Sequence, residues 1–188
     1  DDSRSLYEVF IAEFFLTQTP AGNTEQIYPE FLRQFPSLQH VREASQSELA
    51  EAIEPIGFHN MRAEALIKIA DKCDQLPSEV DALLELPRVG PYVANATLCF
   101  GDNQRRAIVD RNVSRVYRRV FGERYPHSSR DQREFAKAML PEGNAEARTC
   151  NCALLDLGAL ICKKQEPLCE ECFAREYCSY YQPDTHED

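Results

Sequence analysis

Leu86-Pro87-Arg88-Val89-Gly90-Pro91-Tyr92-Val93-Ala94-Asn95 reads as the end of one helix, a tight turn and the start of a second helix. Pro87 cannot continue the helix that ends near Leu86. Gly90 suits a turn with unusual dihedrals, and Pro91 is well placed as the first residue of the next helix. A helix that begins this way offers bare backbone N–H groups over Val89 to Val93, which makes it a ready site for an anion, a phosphate above all. An ordinary helical hairpin has the same local pattern, so the decision rests with the rest of the chain.

Outward from the hairpin the pattern stays helical. Ala94 to Phe100 continues the second helix, Gly101-Asp102-Asn103 turns, Ala107-Ile108-Val109 is a short extended stretch, and Asp110 stands where another helix begins with Val113, Val116, Tyr117 and Val120 on one face. Upstream, a helix from about Ser5 to Gln18 is apolar almost all round (Leu6, Val9, Phe10, Ile11, Phe14, Phe15, Leu16), as a core helix is. Glu13 lies inside that run and must be paired, reached through a cleft or protonated, because burying its charge alone is costly. Asn23 or Thr24 is expected to cap the next helix, with Ile27, Phe31, Leu32 and Phe35 inward. Two helices follow between Ser47 and Cys73, broken at Ile56-Gly57-Phe58. Ser78 is expected to cap a helix into the hairpin, and two more are expected near Asp131–Leu140 and Arg148–Ile161. No strand alternation exceeds four residues, so the class is all-α.

A chain of 188 residues accommodates one or two domains, and no apolar run is long enough to span a bilayer or to form a signal peptide. An intracellular, cytoplasmic protein is expected, and the opening at Asp1 without methionine points to a natural segment before it. The net charge of −10 is unevenly spread: residues 1–87 carry 6 basic and 16 acidic side chains, 88–122 carry 7 and 2, and 123–188 carry 8 and 13. All seven basic residues in the central segment are arginines (Arg88, Arg105, Arg106, Arg111, Arg115, Arg118, Arg119), which suit phosphate contact, although a solvated helix face has the same composition.

Four of the eight cysteines cluster as Cys162, Cys169, Cys172 and Cys178, spaced C-x6-C-x2-C-x5-C. Structural zinc more usually shows two close pairs on a longer loop, so a four-cysteine [4Fe–4S] cluster is the better reading of one close pair with two flanking ligands. Cys150, Cys152, Cys73 and Cys99 read as free thiols.

The hairpin Leu-Pro-x-Val-Gly, an aspartate opening a helix about twenty residues on and the terminal cysteine pattern, in that order, resemble the endonuclease III superfamily of base-excision DNA glycosylases, over Leu6 to Tyr181. The resemblance implies two helical domains with DNA in a cleft between them: a six-helix barrel with the hairpin at about 20–125, and a [4Fe–4S] domain built from 1–19 and 126–188. Asp110 matches the family's catalytic aspartate, whose carboxylate stabilises positive charge on the sugar as the base leaves. Helix capping is its alternative role.

Tyr92 stands where strand-cutting members have a lysine that forms a Schiff base; a phenol cannot form that imine, so base removal without lyase activity is implied. Glu13, with Phe10 to Thr19, resembles the corresponding helix of adenine-DNA glycosylases and archaeal-type thymine-DNA mismatch glycosylases. Its apolar setting should raise its pKa and suit it to donate a proton to the departing base. Gln18 falls where the family fills the gap left by an extruded base, and Arg88, Val89, Gly90, Tyr92, Val93 and Arg111 are expected to meet DNA. Arg88 departs from the pattern, which has glycine there; its Cβ threatens the turn while its charge adds a phosphate contact.

Cys178-Ser179-Tyr180-Tyr181 and Ile56 to Glu64 resemble the mismatch enzymes. The chain also stops at Asp188, whereas adenine glycosylases carry a further domain, so thymine or uracil opposite guanine is the expected substrate. Adenine opposite guanine or 8-oxoguanine is the alternative, and a non-catalytic DNA-binding iron–sulfur protein a third reading. The expected partner is double-stranded DNA with a mispaired base, bound by a monomer away from any membrane, in a prokaryotic nucleoid.

Overall fold

Ser5 and Glu8 cap the first helix reciprocally in the computed structural model, which describes residues 4–181. The Glu8 N–H donates to Ser5 Oγ (3.2 Å) and the Ser5 N–H to Glu8 Oε2 (2.6 Å). The chain divides into two compact units, Asp1–Gln104 and Arg105–Asp188. Among the described residues every regular element is helical, as expected, and no helix is long and apolar enough to cross a membrane.

Unit one holds α1 (Leu6–Leu16), α2 (Ala21–Gln34), α3 (Leu38–Glu43), α4 (Gln46–Ala52), α5 (His59–Lys72), α6 (Val80–Leu84) and α7 (Pro91–Gly101). α1 is buried on nearly all sides and packs on α7 and α2, with Phe10, Ile11, Phe14 and Phe15 in the core and the Phe15 ring edge-on to Phe31 at 4.9 Å. Each such side chain contributes about 1.5–3 kcal/mol by leaving water. A Cβ on Gly101 would lie 3.1 Å from the Leu6 Cα, so the close α1–α7 approach depends on that glycine. The division differs from the expected 20–125 against 1–19 with 126–188: α1 belongs to unit one because its all-round apolar surface is the centre of that core, and 105–125 belongs to unit two.

Three expected details change. α2 starts at Ala21 after Pro20, so Thr24 lies inside the helix with its hydroxyl buried and without a partner among the described residues, and neither Asn23 nor Thr24 is the cap. Glu79, not Ser78, precedes α6, without a side-chain cap. The α3 helix, six residues with only Leu38 and Val41 buried, is too short for its period to show in sequence.

Unit two holds α8 (Arg111–Phe121), α9 (Ser129–Met139) and α10 (Asn144–Asp156), which runs on into a π-helical turn, Leu157–Ile161. Its core is largely aromatic: Tyr117, Phe121, Tyr125 and Phe135 pack with ring centroids 5.1–6.0 Å apart. Buried Asn151 fastens the extended stretch to α10, accepting from the Ile108 N–H (3.1 Å) and donating to the Arg106 carbonyl (2.8 Å). The chain end is tied to α8: the Ser179 and Tyr180 N–H groups donate to the Val120 and Arg119 carbonyls at 3.1 and 3.0 Å.

Candidate active site and cysteine centre

The hairpin turn forms as its prolines dictate, and its strain falls at Arg88, where the replaced glycine was expected to matter, rather than at Gly90. The Val89 N–H donates to the Leu86 carbonyl (3.2 Å), and Pro91 is the first residue of α7. Gly90 has φ −96°, open to any residue, and a Cβ there would meet nothing within 4 Å. Arg88 instead takes the left-handed conformation, φ 61°. For a residue with a Cβ this costs on the order of 1–3 kcal/mol. No side chain caps α7; of the donors anticipated over Val89 to Val93, the Val89 N–H is used inside the turn and Pro91 has none, which leaves those of Gly90, Tyr92 and Val93 at the helix start.

On α1, Glu13 is 8% exposed. The Tyr92 hydroxyl donates a hydrogen bond to its carboxyl, while Oε2 is buried without a partner among the described residues. Burial raises the Glu13 pKa, and the Tyr92 bond offsets only part of that rise. A carboxyl with one donor and one bare buried oxygen is inclined to hold a proton.

Beside α1, a cavity partly open to solvent is lined by Phe14, Thr17, Gln18, Phe58, Arg62 and Arg88. The Arg62 side chain is buried and fully used: it donates to the carbonyls of Phe14 (2.7 Å), Thr17 (2.6 Å) and Gly57 (3.1 Å) and to Thr19 Oγ1 (2.9 Å). Phe58, just before α5, is 56% exposed with φ 51°. Sequence reasoning passed over both residues. The one available signal was a phenylalanine between Gly57 and a helix start, outside the apolar face of α5.

Asp110 is half-buried and caps α8, its Oδ1 accepting from the Val113 N–H at 2.6 Å. Its other oxygen takes no hydrogen bond from the described residues, so the carboxylate serves as a cap and still presents a free edge. Three of the seven arginines are committed elsewhere. Arg105 donates to the Lys137, Leu140 and Pro141 carbonyls, Arg115 to Gly158 and Cys162, and Arg119 to Lys163 and Lys164. Burying carbonyl-rich chain ends against α8 consumes charge that the sequence suggested for phosphate. Arg88 and Arg111 have no hydrogen bond or ion pair among the described residues and are exposed.

Cys162, Cys169, Cys172 and Cys178 line one partly open cavity in unit two, walled by Val116, Leu157, Ile161 and Leu168 among others. Burial and then the neighbouring Cys178, Cys162 and Cys172 push the Cys169 thiol pKa up. Among the described residues no three metal-binding side chains gather as they would around one ion. Arg119 frames the cavity: Nη1 donates to Cys162 Sγ (3.4 Å) and its guanidinium lies over the Tyr180 ring, 4.5 Å from the centroid.

Comparison with known proteins bears on these features together. The family model of HhH-GPD superfamily base excision DNA repair proteins matches residues 11–141. A thymine/uracil-DNA glycosylase of Methanothermobacter thermautotrophicus is 34% identical, over 96% of this chain and 84% of its own length. An adenine DNA glycosylase of Mycobacterium tuberculosis is 32% identical over 94% of this chain but 60% of its own length. The solved structure of a thermostable thymine-DNA glycosylase superposes with a TM-score of 0.88 at 33% identity, covering 96% of this chain and 86% of that one.

Proposed function

Because the chain belongs to the HhH-GPD superfamily of base excision DNA repair proteins, we propose that it is a monofunctional DNA glycosylase that removes thymine or uracil mispaired with guanine. The observation that carries the reading is the pairing of Tyr92, in place of a Schiff-base lysine, with a buried Glu13 whose pKa is raised. The family model and the relative named a thymine/uracil-DNA glycosylase support it.

In this reading the bare end of α7 and the free cation Arg111 hold the backbone of double-stranded DNA, and the mispaired nucleotide is flipped out. Flipping costs a few kcal/mol, less for a mispair. Gln18 and the exposed Phe58 ring fill the vacated space, as polar and apolar wedges do elsewhere. The bond from sugar C1′ to the base nitrogen breaks with its electron pair moving to the base. Protonated Glu13, oriented by Tyr92, donates to that base, and the free edge of the Asp110 carboxylate stabilises the positive sugar. Water adds at C1′ and releases one proton to solvent, from which Glu13 regains the proton it gave, leaving free base and an abasic site. With no amine at position 92 the strand stays intact.

The four cysteines are assigned to a [4Fe–4S] cluster. A single zinc draws its sulfurs to about 3.8 Å of one another through bonds of about 2.3 Å. Four thiols lining one cavity, with a single close pair in sequence rather than two, suit a cluster. When bound, the cluster supplies four iron–thiolate bonds that hold this segment in place. The protein acts as a monomer in the cytoplasm, at the nucleoid.

Labelled duplexes containing T·G, U·G, A·G and A·8-oxoguanine, treated with alkali after incubation, test the substrate. Cleavage at T·G and U·G is expected. The adenine reading, which the mycobacterial relative favours, requires cleavage at adenine instead, and cleavage there alone overturns the proposal.

A further inference from the structure

The non-glycine residues with left-handed backbone are Gln18 (φ 57°), Phe58 (φ 51°), Arg88 (φ 61°), Asn103 and Glu166 among the described residues. The first three come from three separate loops, after α1, before α5 and between α6 and α7, and they line the same partly open cavity. Strain of this kind persists only where the surrounding structure imposes it, and it gathers at sites of recognition. Here it aims an amide, an aromatic ring and a guanidinium at one small volume.

The chemistry of that volume is unbalanced. Arg62 has spent its donors on carbonyl groups and Thr19, and its charge lies near that of Arg88. Arg88 has no acceptor among the described residues, and no carboxylate lines the cavity. What is missing is a planar group with two acceptors side by side that can also lie against a ring. A phosphate offers acceptors but no face to stack. The O6/N7 edge of guanine offers both, whereas adenine shows one acceptor and one donor there and pyrimidines lack the pair. An enzyme that extrudes a pyrimidine from a mispair with guanine leaves such a base behind.

We infer that Arg88 reads the guanine left behind by the extruded pyrimidine, donating from its guanidinium fork to O6 and N7 beside Gln18 and Phe58. This rests on the proposed excision opposite guanine and adds the residue that makes it selective for the opposing base.

The test is single-turnover excision by the full chain on T·G, T·inosine and T·7-deazaguanine duplexes, together with binding to the same duplexes carrying a non-cleavable 2′-fluorothymidine. The wild type is expected to treat inosine, which keeps O6 and N7, like guanine, and to lose roughly 5- to 150-fold on 7-deazaguanine, which lacks N7. Arg88→Gly should relieve the strained turn and so raise the melting temperature while erasing the difference between the three templates; Arg88→Lys, a point charge without a fork, should erase most of it. A wild type indifferent to N7 overturns the inference. So does an Arg88→Gly enzyme that weakens equally on all templates with a salt slope smaller by about one, which is the signature of a phosphate contact. An enzyme active on T·G whose Arg88→Gly variant keeps its N7 dependence overturns this inference alone. No activity on T·G or U·G overturns the proposed function with it.

Discussion

The Tyr92 hydroxyl donates a hydrogen bond to the Glu13 carboxyl, joining the first turn of α7 to the middle of α1 inside unit one. Burial raises the Glu13 pKa above its ordinary 4.5, so the folded protein holds that proton more tightly than the unfolded chain does. The stabilisation this brings is complete below about pH 4.5 and is lost as pH rises through the raised value. Glu13→Gln keeps the shape without the charge. Its melting temperature relative to wild type should climb between those two pH values and level off above them. Parallel melting curves from pH 4 to 8 would show that Glu13 titrates normally. The same titration should give wild-type excision a falling alkaline limb that Glu13→Gln lacks.

Asp110 has two roles that substitution separates. Asparagine caps a helix about as well as aspartate, so Asp110→Asn should leave stability within a few tenths of a kcal/mol and DNA binding unchanged, while excision falls at least 100-fold. Asp110→Ala should lose the same activity and also about 1 kcal/mol of stability. Thermal melts and single-turnover rates on one preparation check both. Retained excision in Asp110→Asn would reduce the residue to its cap.

Replacing any of Cys162, Cys169, Cys172 or Cys178 by serine should lower bound iron well below four per chain and remove the visible iron–thiolate absorption, whereas Cys150→Ser and Cys73→Ala should leave both intact. Iron and zinc analysis of the purified protein is the direct measurement. One zinc and no iron would replace the cluster assignment.

Gly158 lies in the π-helical turn that leads to Cys162, where a Cβ would sit 2.8 Å from the Asn112 Cβ. Arg115 grips the same turn, donating to the Gly158 carbonyl at 2.7 Å. Gly158→Ala should cost about 1–3 kcal/mol by forcing the turn away from α8, and iron content should drop with it because Cys162 moves. Unchanged stability would mean that the turn can shift freely.

Much of the candidate site was legible because its signals are local. Glu13 stood out as one carboxylate in an apolar run, the cysteines by their spacing and Asp110 by its place before an amphipathic helix, while Tyr92 was singled out only through the family resemblance. The arginine-rich segment was legible only as charge. Arg105, Arg115 and Arg119 turn inward to chain carbonyls, a use that depends on segments far away in sequence. Phe58 was read as a helix break, since nothing in its neighbours says that its ring stays in water.

By itself the sequence determined the helical class, the order of the motifs and the spacing of the four cysteines, because periodicity and spacing are properties of residues near one another along the chain. Only the tertiary structure decided that Tyr92 meets Glu13, that one Glu13 oxygen is left bare, and that Arg88 rather than Gly90 takes the left-handed turn beside Gln18 and Phe58. Those facts depend on which distant surfaces exclude water together, and desolvation and strain have no values until the chain has packed.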